Sequence, residues 1–263
     1  MARSPSGESV LQRAVRILEV FDSNNVAVSV SDIAERAGLP LSTASRLIDE
    51  LVEHGLLRRD SQRRVRIGIR LWELASRASP MRNLRDAAMP FLEDLHSVVG
   101  HHVQVGVLDG DDVLFIERLS APGAVINVTR IAGRLPIHAS SSGLVLLANS
   151  PYAMQERITN GHLEVFTEHT IGDGAQLRAT LVDIRRNGYA LCAGHIHHDA
   201  TGIAVPIRDS GERVVGALSA IVPRDASAIS HVPALLASSR GIHRALSTPV
   251  IPPAPPLHQL RSH

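Results

Sequence analysis

Between Ser31 and Gly55 the chain reads SDIAERAGLPLSTASRLIDELVEHG, and the arginine-laden LLRRDSQRRVRIGIR follows directly. Ile33, Ala34 and Ala37 share one face of a short helix by i, i+3, i+4 spacing. The small side chain of Ala34 admits a close second helix, and Gly38 suits a left-handed turn. Pro40 is expected in the first turn of the next helix, where its missing N–H is harmless. That helix hides Ala44, Leu47, Ile48 and Leu51 and keeps Ser42, Thr43, Ser45 and Arg46 outward. Short hydrogen-bonding groups beside a guanidinium suit a DNA major groove. The same pattern also describes a helical hairpin with a merely solvated polar face.

The next segment decides between them. Arg58, Arg59, Arg63, Arg64, Arg66 and Arg70 are set against a single acid, Asp60. Alternation at Val65, Ile67 and Ile69 predicts a strand, with a turn at Asp60-Ser61-Gln62. This is a wing, whose guanidiniums neutralise phosphates beside the groove. The whole predicts a winged helix-turn-helix that binds double-stranded DNA.

Charge elsewhere is balanced: the 263 residues carry a formal net charge of +1, which argues against a general polyanion binder. All 27 basic residues are arginine. The length allows two domains with separate cores, and with aromatics at 3% those cores must be aliphatic. One cysteine, Cys192, excludes an internal disulfide framework. No apolar run approaches the roughly 20 residues of a membrane span, and the first ten residues lack a signal-peptide core. A cytoplasmic protein is expected.

The stretches ESVLQRAVRILEVFDSN, VSVSDIAERAGLPLSTASRLIDELVEHGLLRRD and RVRIGIRLWELA together resemble the DNA-binding domain of the IclR family of bacterial transcription regulators. GRLPIHASSSGLVLLA (Gly133–Ala148), IRRNGYA (Ile184–Ala190) and GIAVPIRDSGERVVGALSAIVP (Gly202–Pro223) continue the likeness in the family's order. The resemblance implies an α+β chain: an N-terminal winged helix-turn-helix, a linker helix, and a C-terminal GAF/PAS-like antiparallel sheet flanked by helices. Residues 9–70, 71–82 and 83–247 are assigned to these in turn, and 248–263 to a proline-rich flexible tail. It also implies a homodimer or dimer of dimers on an operator, commonly as a repressor of a neighbouring catabolic operon, and a small organic or aromatic acid, a carboxylate, as effector. No cofactor is implied.

Read residue by residue, a first helix is expected over Val10–Phe21, a short one over Leu71–Ala78 ended by Ser79-Pro80, and another from Leu84 to Val99. A hairpin spans 101–120 about Asp109-Gly110, and a further strand is predicted over Val125–Ile131. Helices are predicted from Ser140, Tyr152 and Asp173, the last ended by Gly188, and from Ile229 to Leu246. Strands are predicted near Tyr189–Ala193, Gly202–Arg208 and Arg213–Ile221.

The second domain has no phosphate loop and no nucleophile elbow. Its suggestive segment is Ser140-Ser141-Ser142-Gly143 at a helix start, where exposed N–H groups and the helix dipole attract carboxylates. A plain N-cap is the alternative. By resemblance, the effector contacts are Ser141, Ser142, Cys192, Gly202, Ser219 and Ile221. The family's small-oxoacid pattern has Cys at the position of Gly202, Ser at Ile221 and Asp near Cys192. Losing those polar groups predicts an effector larger or more apolar than glyoxylate or pyruvate. His195 and His197 are candidate metal ligands, with His101 and His102 as further candidates; strand alternation places that pair on one face and Cys192 on the other. The alternative is loop histidines at a pocket mouth, with His195 titrating between about pH 6 and 7.5. Two rival functions are an enzyme using Cys192 or His195 and an architectural DNA-binding protein without a ligand. No base or oxyanion site accompanies Cys192, which disfavours the first, and the size of the second domain disfavours the other.

Overall fold

The computed structural model describes residues 8–22, 24–77 and 80–248. The expectations for residues 1–7, for Ser79 and for the tail beyond Thr248 lie outside them. Contacts divide the chain into two units that meet at Pro80 and Met81.

The first unit runs α1 (Val10–Glu19), α2 (Val30–Arg36), α3 (Leu41–Glu53), β1 (Leu57–Arg59), β2 (Val65–Ile67) and α4 (Ile69–Arg77). Ser9 and Gln12 form a reciprocal capping box on α1, and Ser29 caps α2. Gly38 takes a φ of 60°, which swings α3 across α2. Pro40 stands one residue ahead of α3, as its cap, rather than inside its first turn. Ile33, Ala34, Ala37, Ala44, Leu47, Ile48 and Leu51 close around Ile17, with Leu57 and Val65 of the wing beneath them. Each fully buried Ile or Leu there contributes on the order of 1.5–3 kcal/mol relative to exposure. The wing strand is shorter than its alternation suggests. Its ladder with β1 holds only Leu57 with Ile67, Arg58 with Arg66 and Arg59 with Val65; Val65 also bridges Val28, and Ile69 opens α4 instead.

The second unit contains α5 (Pro80–Val99), β3 (His102–Asp109), β4 (Asp112–Ser120), β5 (Arg134–Pro136), α6 (Ser141–Ala148), α7 (Tyr152–Thr159), α8 (Gly174–Asn187), β6 (Ala190–Ala193), β7 (Ala200–Arg208), β8 (Val214–Pro223) and α9 (Val232–Ser247). Its sheet has the order β5-β4-β3-β8-β7-β6 and is antiparallel throughout. Strand alternation gives it two apolar faces. Val103, Val105, Val107, Ile203, Val205, Leu218 and Ala220 belong to a core shared with Leu92 and Leu95 of α5 and Leu235 and Ile242 of α9. The opposite core joins Phe115, Ala204 and Ala217 to α6 and α8 through Val145, Leu147, Leu177 and Leu181. This is the expected α+β arrangement.

One predicted strand is absent. From Ala121 to Gly133 the chain is irregular, and the edge strand is the three-residue β5. Ile126 and Val128 do alternate, but the backbone around them bonds to side chains rather than to a ladder. His102 Nε2 lies 2.6 Å from the Val125 carbonyl, and Arg118 donates to the Thr129 carbonyl. The segment is therefore a flap tied to β3 and β4.

The start of α6 is held by close contact. A Cβ on Gly143 would collide with the Ile137 backbone carbonyl, which has no soft side chain to yield. Gly143→Ala is expected to cost about 1–3 kcal/mol, read as a lowered urea midpoint for the second unit.

Candidate functional site

The registers lay two rows across the α6-facing side of the sheet. In the first, Cys192 of β6 stands opposite Gly202 of β7, Gly202 opposite Ile221 of β8, and Ile221 opposite His102 of β3. In the second, Ala190, Ala204, Ser219 and Gln104 are likewise opposed. Residues directly opposite in an antiparallel pair share a face. Above these rows lies a cavity of about 460 Å³, mouth included. Gln104, Cys192, Gly202 and Ile221 supply its sheet side, and Ser140, Ser141 and Ser142 its helix side. The flap contributes Ile126 to Thr129, and the turn after β6 contributes His195, Ile196 and His197.

Five of the six effector residues expected from sequence thus come together. The sixth, Ser219, lies outside the lining: its hydroxyl accepts from Ser142 Oγ at 2.9 Å and braces the start of α6. Ser140 Oγ accepts the Gly143 N–H, and the Leu144 N–H reaches the Ser140 carbonyl. The Ser141 and Ser142 N–H groups are then the donors without an intrahelical acceptor, at the positive end of the α6 dipole. Gly202 makes room for this end, because a Cβ there would come within 2.8 Å of Ser141 Oγ.

Sequence reasoning missed Gln104, Asn127 and Thr129. Gln104 sits between Val103 and Val105 and reads as the solvent side of an amphipathic strand, yet it is 1% exposed. A signal was present: Ser219, likewise polar between Leu218 and Ala220, marks the same face in a partner strand.

In the first unit, Ser42 and Arg46 are exposed and Thr43 and Ser45 half-buried. The positive surface is smaller than the arginine count suggests. Arg46 Nη1 lies 2.6 Å from Glu50, and Arg59 Nη2 lies 2.7 Å from Asp49. Asp60 accepts from Arg64 and Arg66 and from the Gln62 and Arg64 N–H groups. Burial opposes its ionisation, but those hydrogen bonds prevail and its pKa is lowered. Arg58 and Arg63, the latter at the wing tip with φ 60°, make no ion pair with another described residue.

The bacterial transcriptional regulator IclR C-terminal model matches residues 77–248, and the IclR helix-turn-helix domain model matches residues 10–61. The chain belongs to the IclR family. An IclR homolog from Microbacterium hydrocarbonoxydans, solved in complex with 4-hydroxybenzoate, is 44% identical with a TM-score of 0.86; the match covers 90% of this chain and 99% of that one. The regulator XynR of Escherichia coli is 30% identical over 211 residues, 80% of this chain and 84% of that protein. The transcriptional repressor AllR of Escherichia coli is 30% identical over 217 residues, 81% and 79% of the two. This IclR-family protein is accordingly a DNA-binding transcriptional regulator with a ligand-binding C-terminal domain, and its relatives are regulators rather than enzymes. Among the described residues no helix is long and apolar enough to cross a membrane.

The side chains in the regulator's cavity agree with binding rather than catalysis. Burial pushes the Cys192 thiol up to about 12. Cys192, His195 and His197 line one cavity, not two faces of a strand, because Gly194, at φ 78°, turns the chain out of β6 and its N–H closes on the Ala200 carbonyl. Burial lowers the His195 pKa, outweighing a hydrogen bond with the Ala139 backbone, and nearby His169 lowers it further. Its titration midpoint therefore lies below the ordinary 6.5. His197 stands 4.0 Å from Asp199, and His198 3.2 Å from Glu168. Among the described residues no three His, Cys, Asp or Glu side chains converge as metal ligands. His101 and His102 are flap anchors, meeting the Val125 N–H and carbonyl respectively.

A thiol with that pKa is almost wholly protonated at neutral pH. Cys192 is expected to react with iodoacetamide about three orders of magnitude more slowly in the folded protein than in urea. Mass spectrometry of timed aliquots measures both rates.

Proposed function

We propose that this regulator releases or engages its operator in response to a carboxylic acid with an aromatic or extended apolar body, bound in the cavity of the second unit. The observation that carries the reading is the division of the cavity lining. The helix-start donors of Ser141 and Ser142 stand at one side, and Ile126, Val128, Leu135, Ile196 and Ile221 supply apolar wall. The 4-hydroxybenzoate complex of the 44% identical homolog supports the same ligand class. Gly202 and Ile221 carry no polar side-chain atom, which disfavours glyoxylate-sized acids. AllR, a relative named as a transcriptional repressor, supports a repressor role; a neighbouring catabolic operon as the target and the cytoplasm as the setting are part of the proposal.

Calorimetry should find 4-hydroxybenzoate binding at least about tenfold more tightly than glyoxylate, a difference of roughly 1.4 kcal/mol. Fluorescence anisotropy on the duplex upstream of the protein's own gene should show the acid changing DNA affinity. By linkage, that duplex must shift the acid's affinity by the same factor. Tighter glyoxylate binding, or an acid with no effect on DNA, would sink the proposal.

On the DNA side, Ser42, Thr43, Ser45 and Arg46 are assigned to base edges and adjacent phosphates, and Arg58, Arg59, Arg63, Arg64 and Arg66 to the backbone. Val10, Leu11 and Val15 of α1 and Ile69, Trp72 and Leu74 of α4 are exposed apolar side chains. They support a homodimer, or a dimer of dimers, on a partly palindromic operator. Arg46→Ala is expected to cost about 1–3 kcal/mol of specific affinity. Arg58→Ala and Arg63→Ala should each lower the slope of log K against log salt by about 1. Arg64→Ala should lower it less, since Asp60 already holds that guanidinium. Equal slopes for all three would remove the distinction.

A further inference from the structure

Gln104 is polar, 1% exposed and on the cavity lining, and the binding scheme above gives it no task. Its neighbour across β8 is Ser219, whose hydroxyl meets Ser142 Oγ at 2.9 Å. Gln104 therefore stands at the end of the cavity where α6 begins.

The direction of its amide follows from the placement of protons. Asn127 Oδ1 accepts the Thr129 backbone N–H at 3.0 Å, which commits the other end of that amide, Nδ2, to donating. Asn127 Nδ2 lies 3.3 Å from the Gln104 amide atom nearest the flap, so that atom must be the oxygen, Oε1. The Thr129 hydroxyl lies 2.6 Å from the same atom and 2.7 Å from Asn127 Oδ1, so its single proton is shared between these two acceptor oxygens. Gln104 Nε2 is left with no acceptor among the described residues. It is also not one of the sealed, unpartnered atoms, which are Arg16 Nε, His96 Nε2 and His195 Nδ1. It opens on the cavity that the residue lines.

We propose that Gln104 is a specificity-determining residue: its Nε2 donates to one carboxylate oxygen of the effector, and the flap residues Asn127 and Thr129 hold it in that orientation. The second carboxylate oxygen falls to the Ser141 and Ser142 N–H groups. All of these protein groups are donors, so an acid is accepted and a ligand presenting N–H groups at this end is refused. The amide has its oxygen on the flap and its nitrogen on the ligand, so occupancy of the cavity and position of the flap are coupled through one side chain.

This assignment rests on the reading of the cavity as a carboxylate site, and the test separates the two. Calorimetry compares 4-hydroxybenzoate with its uncharged counterpart 4-hydroxybenzamide on the full chain. In Gln104→Glu a carboxylate faces the ligand. Binding of 4-hydroxybenzoate should weaken by about 30-fold or more, and 4-hydroxybenzamide should change by less than about threefold or tighten. Thr129→Val leaves Gln104 in place but frees its amide to turn, and should reduce the wild type's preference for the acid by about fivefold. Thr129→Val carries the test by itself if the glutamate variant does not fold. Equal weakening of both probes in Gln104→Glu, or an unchanged preference in either variant, overturns the assignment alone. A wild type that binds neither probe overturns the carboxylate reading and this assignment with it.

Discussion

Covering both faces of one antiparallel sheet is the constraint on which the second unit depends. Once α5 and α9 occupy one side and α6 and α8 the other, no strand residue from His102 to Val107 can turn a polar group to water. A hydrogen-bonding group on those strands must then find a fixed partner or open on the cavity, since an unpaired buried group costs about 1–3 kcal/mol. Ser219 finds Ser142, His102 finds Ser120 and Val125, and Gln104 finds the flap. These partners give the cavity its shape. They brace the first turn of α6 against β8 and stitch the irregular segment 121–133 to β3 without any ladder.

The first unit was largely legible because its determinants are local. Helix spacing at Ile33, Ala34 and Ala37, a turn at Gly38, and serine caps all act within a few residues of themselves. In the second unit the same local rules located most strands and helices but failed at Val125–Ile131 and around Cys192. The alternation of Ile126 and Val128 satisfied a strand's period, but the acceptors and donors that decide its backbone come from β3 and β4. The turn at Gly194 brings Cys192 and His195 to one cavity, where a continued strand would have parted them. Gln104 was invisible for a related reason. A glutamine between valines reports a solvent face only if that face is left uncovered, and covering is decided by helices far along the chain.

Counting arginines overstated the positive charge of the wing in the same way. Asp60 is the segment's only acid, yet through four hydrogen bonds it orders the turn and engages both Arg64 and Arg66. Glu50 and Asp49, on the helix that would enter the groove, engage Arg46 and Arg59. Such exposed pairs are worth little to stability, typically about 0–1 kcal/mol. On the proposed reading they matter for DNA binding, because a phosphate must compete with a carboxylate for the same guanidinium. Among the described residues no carboxylate pairs with Arg58 or Arg63.

The polarity of the cavity follows from where the sheet rows end. Gly202 gives up a side chain so that Ser141 can approach β7, and Ile221 beside it presents only carbon. Cys192, 3% exposed with its thiol neutral, adds little polarity. Donors remain at the start of α6 and at Gln104, and the flap adds Ile126 and Val128. An acid small enough to satisfy the donors alone would leave this carbon surface uncovered, forfeiting about 25 cal/mol for each Å² of apolar area it failed to bury. A purely apolar ligand would strand the Ser141, Ser142 and Gln104 N–H groups. On the proposed reading, a molecule carrying both a carboxylate and an apolar body removes both penalties, and the same sheet that helps supply the wall behind the first penalty imposes the second by burying Gln104.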